Sequence, residues 1–303
     1  MPGVPVIFDR ALLARRRARA AAAMASADFL LKEVAADFAD RLSLIKRDFA
    51  RAADIGSHTG LVADAIAALP NVGVVVRSDR CQALIAGQPG PRLVCDEELL
   101  PFAPESLNLV VSGLTLQWVN DLPGALAQIA AALKPDGLFL AALLGGDTLY
   151  ELRQALTAAE IEMRGGASPR VSPFVEVREL GSLLQRAGFA LPVTDTDRLT
   201  ARYADMFELM GELKAMGATN VMSERSRSAL PRGVLFRAAE IYAERFAGTD
   251  GRIPATFEIV TATGWRPHDS QQRPLRPGSA RMRLADALGT REIPAGEKTG
   301  PRR

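Results

Sequence analysis

The chain of 303 residues has few of the side chains that build disulfides and metal sites, with two cysteines and two histidines. Cys81 and Cys95 are too few for a disulfide framework and neither lies in a metal-ligand spacing, which fits a reducing compartment. A non-haem iron site of two histidines and one carboxylate would need both His58 and His268, one in a central loop and one near the C-terminus. We therefore predict no metal site.

Long apolar runs are also lacking. The longest, LFLAALL at 138–144, is far too short to span a bilayer, and the N-terminus lacks the basic-then-apolar layout of a secretory signal. No G-x-S-x-G nucleophile elbow is present to support a Ser-His-Asp hydrolase. A net charge of +2 neither demands nor excludes a polyanionic partner. We predict a soluble bacterial cytoplasmic protein with no transmembrane segment and no nucleic-acid partner.

Between residues 52 and 145 the chain alternates short apolar runs with amphipathic stretches. The apolar runs are β-branched or leucine-rich, and each ends at a small or acidic residue, as buried strands do. They lie at 52–56, 72–79, 92–96, 107–113 and 137–145, with helical patterns at 61–69, 81–86 and 122–133. Strand and helix in alternation predict a doubly wound α/β fold with a mainly parallel sheet.

After residue 145 the helical patterns become longer. Residues 148–164 predict an amphipathic helix with Thr148 as N-cap and Glu151 placed for a capping box. Further helices are predicted at 175–189, 205–216 and 233–247, and strands at 191–203 and 255–265. From about Arg276 the chain is polar and rich in proline and glycine, which predicts a flexible tail.

The predicted domain organisation has three parts. Residues 1–30 form a basic N-terminal helical segment, 31–275 one α/β domain, and 276–303 the tail. Within the domain, 50–145 is the candidate cofactor core and 148–250 carries the helices on the acceptor side. The basic segment RALLARRRARAAAAMA at 10–25 is interpreted either as a solvated helix face or as a contact with a membrane surface or an acidic partner.

The ends of the first three predicted strands carry acidic residues. In an open parallel sheet, ligands bind beyond the carboxyl ends of the strands. Asp54 ends the first strand, and Asp79 ends the second, near the spacing at which an acid reaches a ribose in dinucleotide folds. Asp96 ends the third, where it is placed for an adenine amino group. Helix capping explains any one of these acids, but the three together favour a nucleotide-type cofactor.

The loop DIGSHTG at 54–60 has the outline of a nucleotide-binding turn. Gly56 allows a tight turn, and Gly60 lets the following helix start close to the sheet.

Several motifs carry a resemblance to a known family. D-I-G-x-x-x-G, CDEELLPF, LNLVVSGLTLQWVNDLPGAL and LKPDGLF resemble the class I S-adenosylmethionine methyltransferases, which implies a Rossmann-like sheet with helical additions. A closer resemblance covers nearly the whole chain. IFDR, GGDTLYELR and MFELMGELKAMG resemble methyltransferase-fold assembly factors of respiratory complex I, described as hydroxylating an arginine of an iron–sulfur subunit. Malonyl-carrier-protein methyltransferases share the core motifs but not GGDTLYELR.

The resemblance implies S-adenosylmethionine as cofactor and assigns residues to its parts. The loop would face the methionine part, Asp79 the ribose, and Asp96 with Glu97 the adenine edge. The segment from Ser112 to Leu114 would lie beneath the sulfonium. The complete set of cofactor-binding candidates is Asp54, Gly56, His58, Gly60, Asp79, Asp96, Glu97, Ser112 and Leu114.

On the acceptor side the resemblance implies Trp118, Asp147, Tyr150, Glu151 and Arg153. Trp118 would close one side of the sulfonium site, or else pack in the core. Asp147 and Tyr150 would lie at the mouth, or merely start a helix, and Asp147 with Glu151 would offer carboxylates to an arginine. Arg153 would bind an acidic acceptor or a backbone carbonyl. No catalytic residue is assigned.

His58 stands where the family has glycine. A side chain at this position must point away from the cofactor or occupy its space, because the missing Cβ is what permits close backbone approach. We expect cofactor binding to persist but to be weakened.

Two classes of function follow. The first is an S-adenosylmethionine-dependent, methyltransferase-like enzyme that modifies a protein partner, an arginine of an iron–sulfur subunit of NADH dehydrogenase. Its small-acceptor alternative is a malonyl-carrier-protein O-methyltransferase. The second class is a non-catalytic assembly chaperone with a degenerate cofactor loop. His58 favours the chaperone, whereas Asp79 and Asp96 favour an enzyme.

Overall fold

The computed structural model describes residues 5–272 and 282–291. The chain divides into two compact units, Met1–His268 and Asp269–Arg303. The basic N-terminal segment predicted at 1–30 lies in the first unit together with the sheet. Most of the predicted tail lies outside the described residues. Within the described ranges, no helix is long and apolar enough to cross a membrane.

The secondary structure elements follow one another in a regular alternation through the first half of the chain. The strands are β1 Phe49–Ile55, β2 Val72–Asp79, β3 Arg92–Val94, β4 Leu107–Gly113, β5 Leu133–Leu144, β6 Ala190–Tyr203 and β7 Ile253–Trp265. The helices are α1 Arg10–Met24, α2 Phe29–Ser43, α3 Leu61–Ala67, α4 Gln82–Ile85, α5 Leu122–Ala132, α6 Tyr150–Arg164, α7 Val177–Arg186, α8 Met206–Ala215 and α9 Arg232–Phe246, with a 3-10 turn at Leu116–Trp118. A short helix, α10 Leu284–Ala287, lies in the second unit.

The strands form one sheet in the order β3-β2-β1-β4-β5-β7-β6. Strands β1 to β5 run parallel, whereas β7 is antiparallel to both β5 and β6. The prediction of a doubly wound, mainly parallel α/β fold is confirmed. Because the strand order reverses between β1 and β4, the crevice for a ligand lies beyond the carboxyl ends of these two strands.

Each face of the sheet is covered by helices. One apolar cluster joins the sheet to α2, α3, α6, α8 and α9, with Phe38 and Tyr242 fully buried. The other joins it to α5 and α7. The central strands are buried on both faces, which is why their sequences are continuous apolar runs. Helix α2 was not predicted, although its buried residues Leu30, Val34, Phe38 and Leu42 recur every fourth position.

The predicted capping box of the long helix is wrong. Helix α6 begins at Tyr150, and its N-cap is Leu149, in the left-handed region at φ 53°. The Thr148 side chain instead exchanges hydrogen bonds with the backbone of Glu258 in β7. The Glu151 carboxylate accepts from the backbone N–H and hydroxyl of Thr256. Thr148 and Glu151 therefore form hydrogen bonds with β7 and not with the first turn of α6.

Candidate cofactor and acceptor site

The loop between β1 and α3 is shaped by its two glycines. Gly56 has φ 72°, and a Cβ there would lie 2.2 Å from Thr115 Oγ1, so a side chain at this position cannot fit. Gly60 is the N-cap of α3 with φ 90°, and a Cβ there would come within 2.8 Å of the Arg77 guanidinium. These positive φ angles and close approaches explain the glycines of the loop.

Asp54 lies at the end of β1 and is fully buried. One carboxylate oxygen accepts a hydrogen bond of 2.7 Å from the Ser57 hydroxyl, and Oδ1 has no partner among the described groups. Burial raises the pKa of Asp54 to about 7, which the Ser57 hydrogen bond and the Arg77 charge partly oppose.

Asp79 ties the loop to the end of β2. Its carboxylate accepts from the backbone N–H of His58 at 3.1 Å and from that of Cys81 at 2.7 Å. Asp79 is buried, beneath α1. The carboxylate thus organises the loop in addition to lying where the resemblance puts the ribose.

His58 adopts φ 47°, a left-handed conformation unfavourable for a residue with a Cβ. Its side chain is buried and lines a large cavity beside Leu114, so it occupies space next to the predicted sulfonium site. The ring Nε2 lies 2.7 Å from Thr115 Oγ1, and Nδ1 has no partner in the described chain. Burial, reinforced by the positive charge of Arg17, lowers the pKa of His58 well below its usual value, so the imidazole is neutral at pH 7.

Helix α1 covers the acidic ends of the second and third strands. The buried guanidinium of Arg10 pairs with Asp96 and Glu97 and, at 2.8 Å, with Glu98. Arg10 of the basic segment therefore finds its acidic contact within its own chain, whereas Arg15 and Arg19 are exposed, as expected for a solvated helix face. Beneath α1, Asp79 and Glu97 line a pocket of only about 10 Å³. That volume is close to the minimum for one water molecule.

The two candidates from the end of β4 have different positions. Ser112 is fully buried, and its hydroxyl donates to the Ile55 carbonyl at 2.7 Å, joining β4 to β1. Leu114 has φ 52° and lines the large cavity. Trp118 also lines the cavity and packs edge to face on Phe8, with ring centroids 5.5 Å apart.

The large cavity has a volume of about 560 Å³. Its walls come from α1, α2, α6, α8 and the segment 217–230, and most of them are apolar. The charged residues that line it are Arg16, Arg17, Arg170, Arg225 and Arg227. Among the described residues of the lining there is no aspartate or glutamate. Such a wall suits a ligand that carries an apolar body and a negative charge.

The motif GGDTLYELR does not bring its polar residues to this cavity. Asp147 is exposed and pairs with Arg198, and Tyr150 packs edge to face on Phe246. Glu151 is fully buried against Thr256, so it is not available to a cationic acceptor. The prediction that Asp147 and Glu151 together offer carboxylates to an arginine of the acceptor therefore disagrees with the structure. Both carboxylates already have partners within the protein.

Arg153 donates to the backbone carbonyls of Gly146 and Thr148, each at 3.2 Å. Of its two predicted roles, the structure shows the backbone contact. It also lines a separate groove of about 630 Å³.

The arginines of the cavity and Gln117 were not predicted as site residues. They reach the site from segments far apart in the chain, and the only local signal is the basic run of α1. In the part of the chain that the structure describes, no group of three or more His, Cys, Asp or Glu residues is placed to hold a metal ion.

Comparison with known proteins agrees with this architecture. Residues 27–192 match the family described as Methyltransferase domain. A Mus musculus protein named arginine-hydroxylase NDUFAF5, mitochondrial, is 43% identical over 299 residues, covering 96% of this chain and 87% of that protein. The Homo sapiens protein of the same name is 41% identical over 302 residues, covering 97% and 87%. A malonyl-[acyl-carrier protein] O-methyltransferase from Laribacter hongkongensis is 38% identical over 276 residues, covering 86% and 90%.

These relatives correct one prediction. The NDUFAF5 proteins are named as mitochondrial, so the predicted bacterial cytoplasmic location is wrong. The prediction rested on missing apolar runs and a missing secretory signal, and those absences do not distinguish one aqueous compartment from another.

Solved structures share the fold at low sequence identity. The YcgJ protein of Bacillus subtilis superimposes with a TM-score of 0.53 at 14% identity, covering 78% of this chain and 99% of that one. A Bacillus halodurans protein gives a TM-score of 0.52 at 16% identity, covering 77% and 98%. With the family match extending from before α2 into β6, the chain belongs to the methyltransferase domain family, which it shares with its relatives named arginine hydroxylase and malonyl-[acyl-carrier protein] O-methyltransferase.

Proposed function

We propose that this protein is an enzyme that binds S-adenosylmethionine and modifies an arginine of a protein partner, an iron–sulfur subunit of respiratory NADH dehydrogenase. One observation carries the proposal. The similarity to the relatives named arginine hydroxylase extends over 96% of the chain, so it includes α6, α8 and the other walls of the cavity as well as the cofactor core. Because the similarity includes the walls of the cavity in which an acceptor would bind, it supports the same kind of acceptor as in these relatives.

Polar atoms at the ends of β1 and β4 support a bound ligand there, whereas the docked helix α1 leaves only about 10 Å³ at Asp79 and Glu97. Four buried side-chain atoms of the described chain have no hydrogen-bond partner, and all lie at the ends of β1 and β4. They are Asp54 Oδ1, His58 Nδ1, Thr59 Oγ1 and Gln117 Oε1. Buried polar groups are normally satisfied, so such a cluster supports a ligand that carries hydrogen-bond donors. When bound, S-adenosylmethionine would supply an electrophilic methyl group on a sulfonium.

A second candidate function is favoured by the charge of the cavity. Five arginines line it, and of these Arg170 pairs with Glu160 and Arg225 with Asp9, while the other three form no ion pair with a described residue. Arginine binds carboxylates through two parallel hydrogen bonds. This charge suits a malonyl-type carboxylate, the acceptor implied by the name of the relatives that are malonyl-[acyl-carrier protein] O-methyltransferases.

Gene deletion separates the candidates. We expect deletion to lower assembled NADH dehydrogenase and to remove a modification from an arginine of the iron–sulfur subunit, measured by native gel electrophoresis and peptide mass spectrometry. Growth without biotin should be unaffected. Biotin auxotrophy with a normal respiratory complex would instead establish the carrier-protein methyltransferase.

Complementation distinguishes an enzyme from a chaperone. The wild-type gene should restore both assembly and modification. Asp79→Asn, which keeps the shape of the side chain but removes its charge, should restore neither if the cofactor is needed. Assembly restored by Asp79→Asn without the arginine modification would identify a non-catalytic chaperone. The unfolding temperature of the purified variant controls for misfolding.

A further inference from the structure

Three arginines line the large cavity where α1 meets the segment 217–230. Arg16 belongs to α1, and Arg225 and Arg227 belong to the segment. The only described carboxylate that pairs with any of them is that of Asp9, which lies 3.5 Å from Arg225. Arg16 donates to a backbone carbonyl of the segment at 2.5 Å, and Arg227 is exposed. These three residues, the arginine cluster, therefore carry positive charge that the described chain leaves largely uncompensated.

The charges of the arginine cluster repel one another. Burial, reinforced by the positive charge of Arg225, lowers the pKa of Arg16 below its usual value, and the Asp9 carboxylate opposes this effect only in part. An anion bound between guanidinium groups would offset the repulsion, and the planar fork of arginine matches a carboxylate or a phosphate. The cluster therefore suits a negatively charged group at the wall of the cavity.

Much of the remaining cavity wall is apolar and adaptable. Eleven leucines and three methionines line it, among them Leu156 of α6 and Met210 and Leu213 of α8. Methionine side chains adapt to ligands of different shape, and an apolar wall offers water few hydrogen-bond partners. A volume of about 560 Å³ lies in the range of pockets that enclose a whole small molecule. A malonyl group, with one methylene between two polar ends, would leave most of this apolar wall without contacts.

We propose that the cavity binds an amphiphile with one hydrocarbon chain and an anionic head group. The head group pairs with the arginine cluster, and the chain packs against the leucines and methionines of α6 and α8. A fatty-acid carboxylate and an alkyl phosphate share this chemistry and differ in the shape and charge of the head group. The proposal goes beyond the proposed function and does not rest on it, because it needs neither S-adenosylmethionine nor a modified arginine.

Isothermal titration calorimetry on the full chain tests the proposal with probes kept below their critical micelle concentrations. Dodecanoate and dodecyl phosphate carry the chain and an anionic head, dodecyltrimethylammonium carries the same chain and a cation, and butyrate carries a carboxylate on a short chain. We expect the tighter-binding dodecyl anion, which identifies the head group, to bind at least about 100-fold more tightly than butyrate because it buries more methylenes. It should bind at least about 10-fold more tightly than dodecyltrimethylammonium, because only the anion attracts the guanidinium groups.

Two results with the wild-type protein would overturn the proposal. One is that neither dodecyl anion binds. The other is that dodecyltrimethylammonium or butyrate binds as tightly as the better dodecyl anion, since the cavity would then select for the chain alone or for the charge alone.

Variants of the arginine cluster locate the head group. Arg16→Met and Arg227→Met should each weaken the better dodecyl anion by about 3- to 30-fold and should not weaken dodecyltrimethylammonium, since a positive charge has been removed. Arg186→Met, at an exposed position of α7 outside the cavity, is the matched control and should bind every probe as wild type does. Unchanged anion binding in both cluster variants would contradict the placement of the head group and with it the proposal.

Variants that fill the cavity locate the chain. Met210→Trp and Leu213→Trp, both at half-buried positions of the wall, should each weaken the better dodecyl anion by at least about 10-fold, because the indole takes the space of the chain. Leu99→Trp, at an exposed position outside the cavity, is the matched control.

The unfolding temperature of each filling variant shows whether it is folded, and the second variant keeps the test valid if the first misfolds. Unaltered anion affinity in a folded filling variant would place the chain outside the cavity and refute the proposal. These measurements involve neither S-adenosylmethionine nor a partner protein, so their failure leaves the proposed function untouched.

Discussion

Asp54 illustrates how a single buried residue makes stability depend on pH. Its pKa is raised by burial to about 7, from 3.8, so between about pH 4 and 7 the folded protein binds the proton more tightly than the unfolded chain. The stability that Asp54 contributes is therefore fully present below pH 4 and is lost as the pH rises through 7. Asp54→Asn cannot ionise. We expect the free energy of unfolding of wild type, relative to Asp54→Asn, to fall by on the order of 4 kcal/mol from pH 4 to 8.

Urea unfolding at several pH values measures this difference. Arg77 and Asp79 also act on Asp54, with opposite signs, and both are kept in the variant. Asp40→Asn, at an exposed position of α2, serves as the control and should follow wild type across the range. A constant difference between wild type and Asp54→Asn would show that the carboxyl is ionised throughout.

Helix α1 is the element whose role only its docked position reveals. Its Arg10 is buried on Asp96, Glu97 and Glu98, and the pocket beneath is too small for an adenosine. Removing one partner of a buried ion pair leaves an uncompensated charge on the other, here on Glu97. We expect Arg10→Met to weaken the docking of α1 by about 3 kcal/mol, seen as faster amide hydrogen exchange in residues 10–24.

The same variant should speed the association of S-adenosylhomocysteine in stopped-flow measurements, because the ligand must displace α1 to reach Asp79. Arg237→Met removes a surface arginine that also pairs with three glutamates, and it should leave the exchange of α1 unchanged. Unaltered exchange in Arg10→Met would mean that apolar contacts alone hold the helix.

At the scale of the whole molecule, the site joins parts of the first unit that are remote in sequence. The cavity takes residues from α1, the loop 54–60, the end of β4, α6, α8 and the segment 217–230. A ligand that binds only the folded state stabilises all of them together by mass action. We expect S-adenosylhomocysteine at 100 times its dissociation constant to add about 2.7 kcal/mol and to raise Tm by roughly 5 °C.

Differential scanning calorimetry provides the measurement. At the same concentration, 5′-methylthioadenosine should raise Tm less, since it lacks the amino-acid group of S-adenosylhomocysteine and therefore makes fewer contacts. A single transition that shifts as a whole is expected for the unit Met1–His268. No shift with S-adenosylhomocysteine would argue against a cofactor site at this edge of the sheet.

Local patterns in the sequence predicted the sheet and the loop. The apolar runs became β1 to β5, and the central strands β4 and β5 are largely apolar because they are buried on both faces, whereas β3 is a short, exposed edge strand. Gly56 and Gly60 lie where positive φ angles favour glycine. These features depend on neighbouring residues alone. The long helix at 148–164 was also recognised from its period, although its first turn was not.

The tertiary structure alone decided which polar groups are available to a ligand. Glu151 has the spacing of a capping residue, but its carboxylate accepts hydrogen bonds from Thr256, more than a hundred positions away in the chain. Arg10 and Arg17 lie in one basic run, yet one is neutralised by Asp96 and Glu97 whereas the other faces His58 and the cavity. Electrostatic energy depends on distance and burial, and both are set by how remote segments pack. The sequence by itself therefore determined the fold and the loop, whereas packing decided the charges of the site.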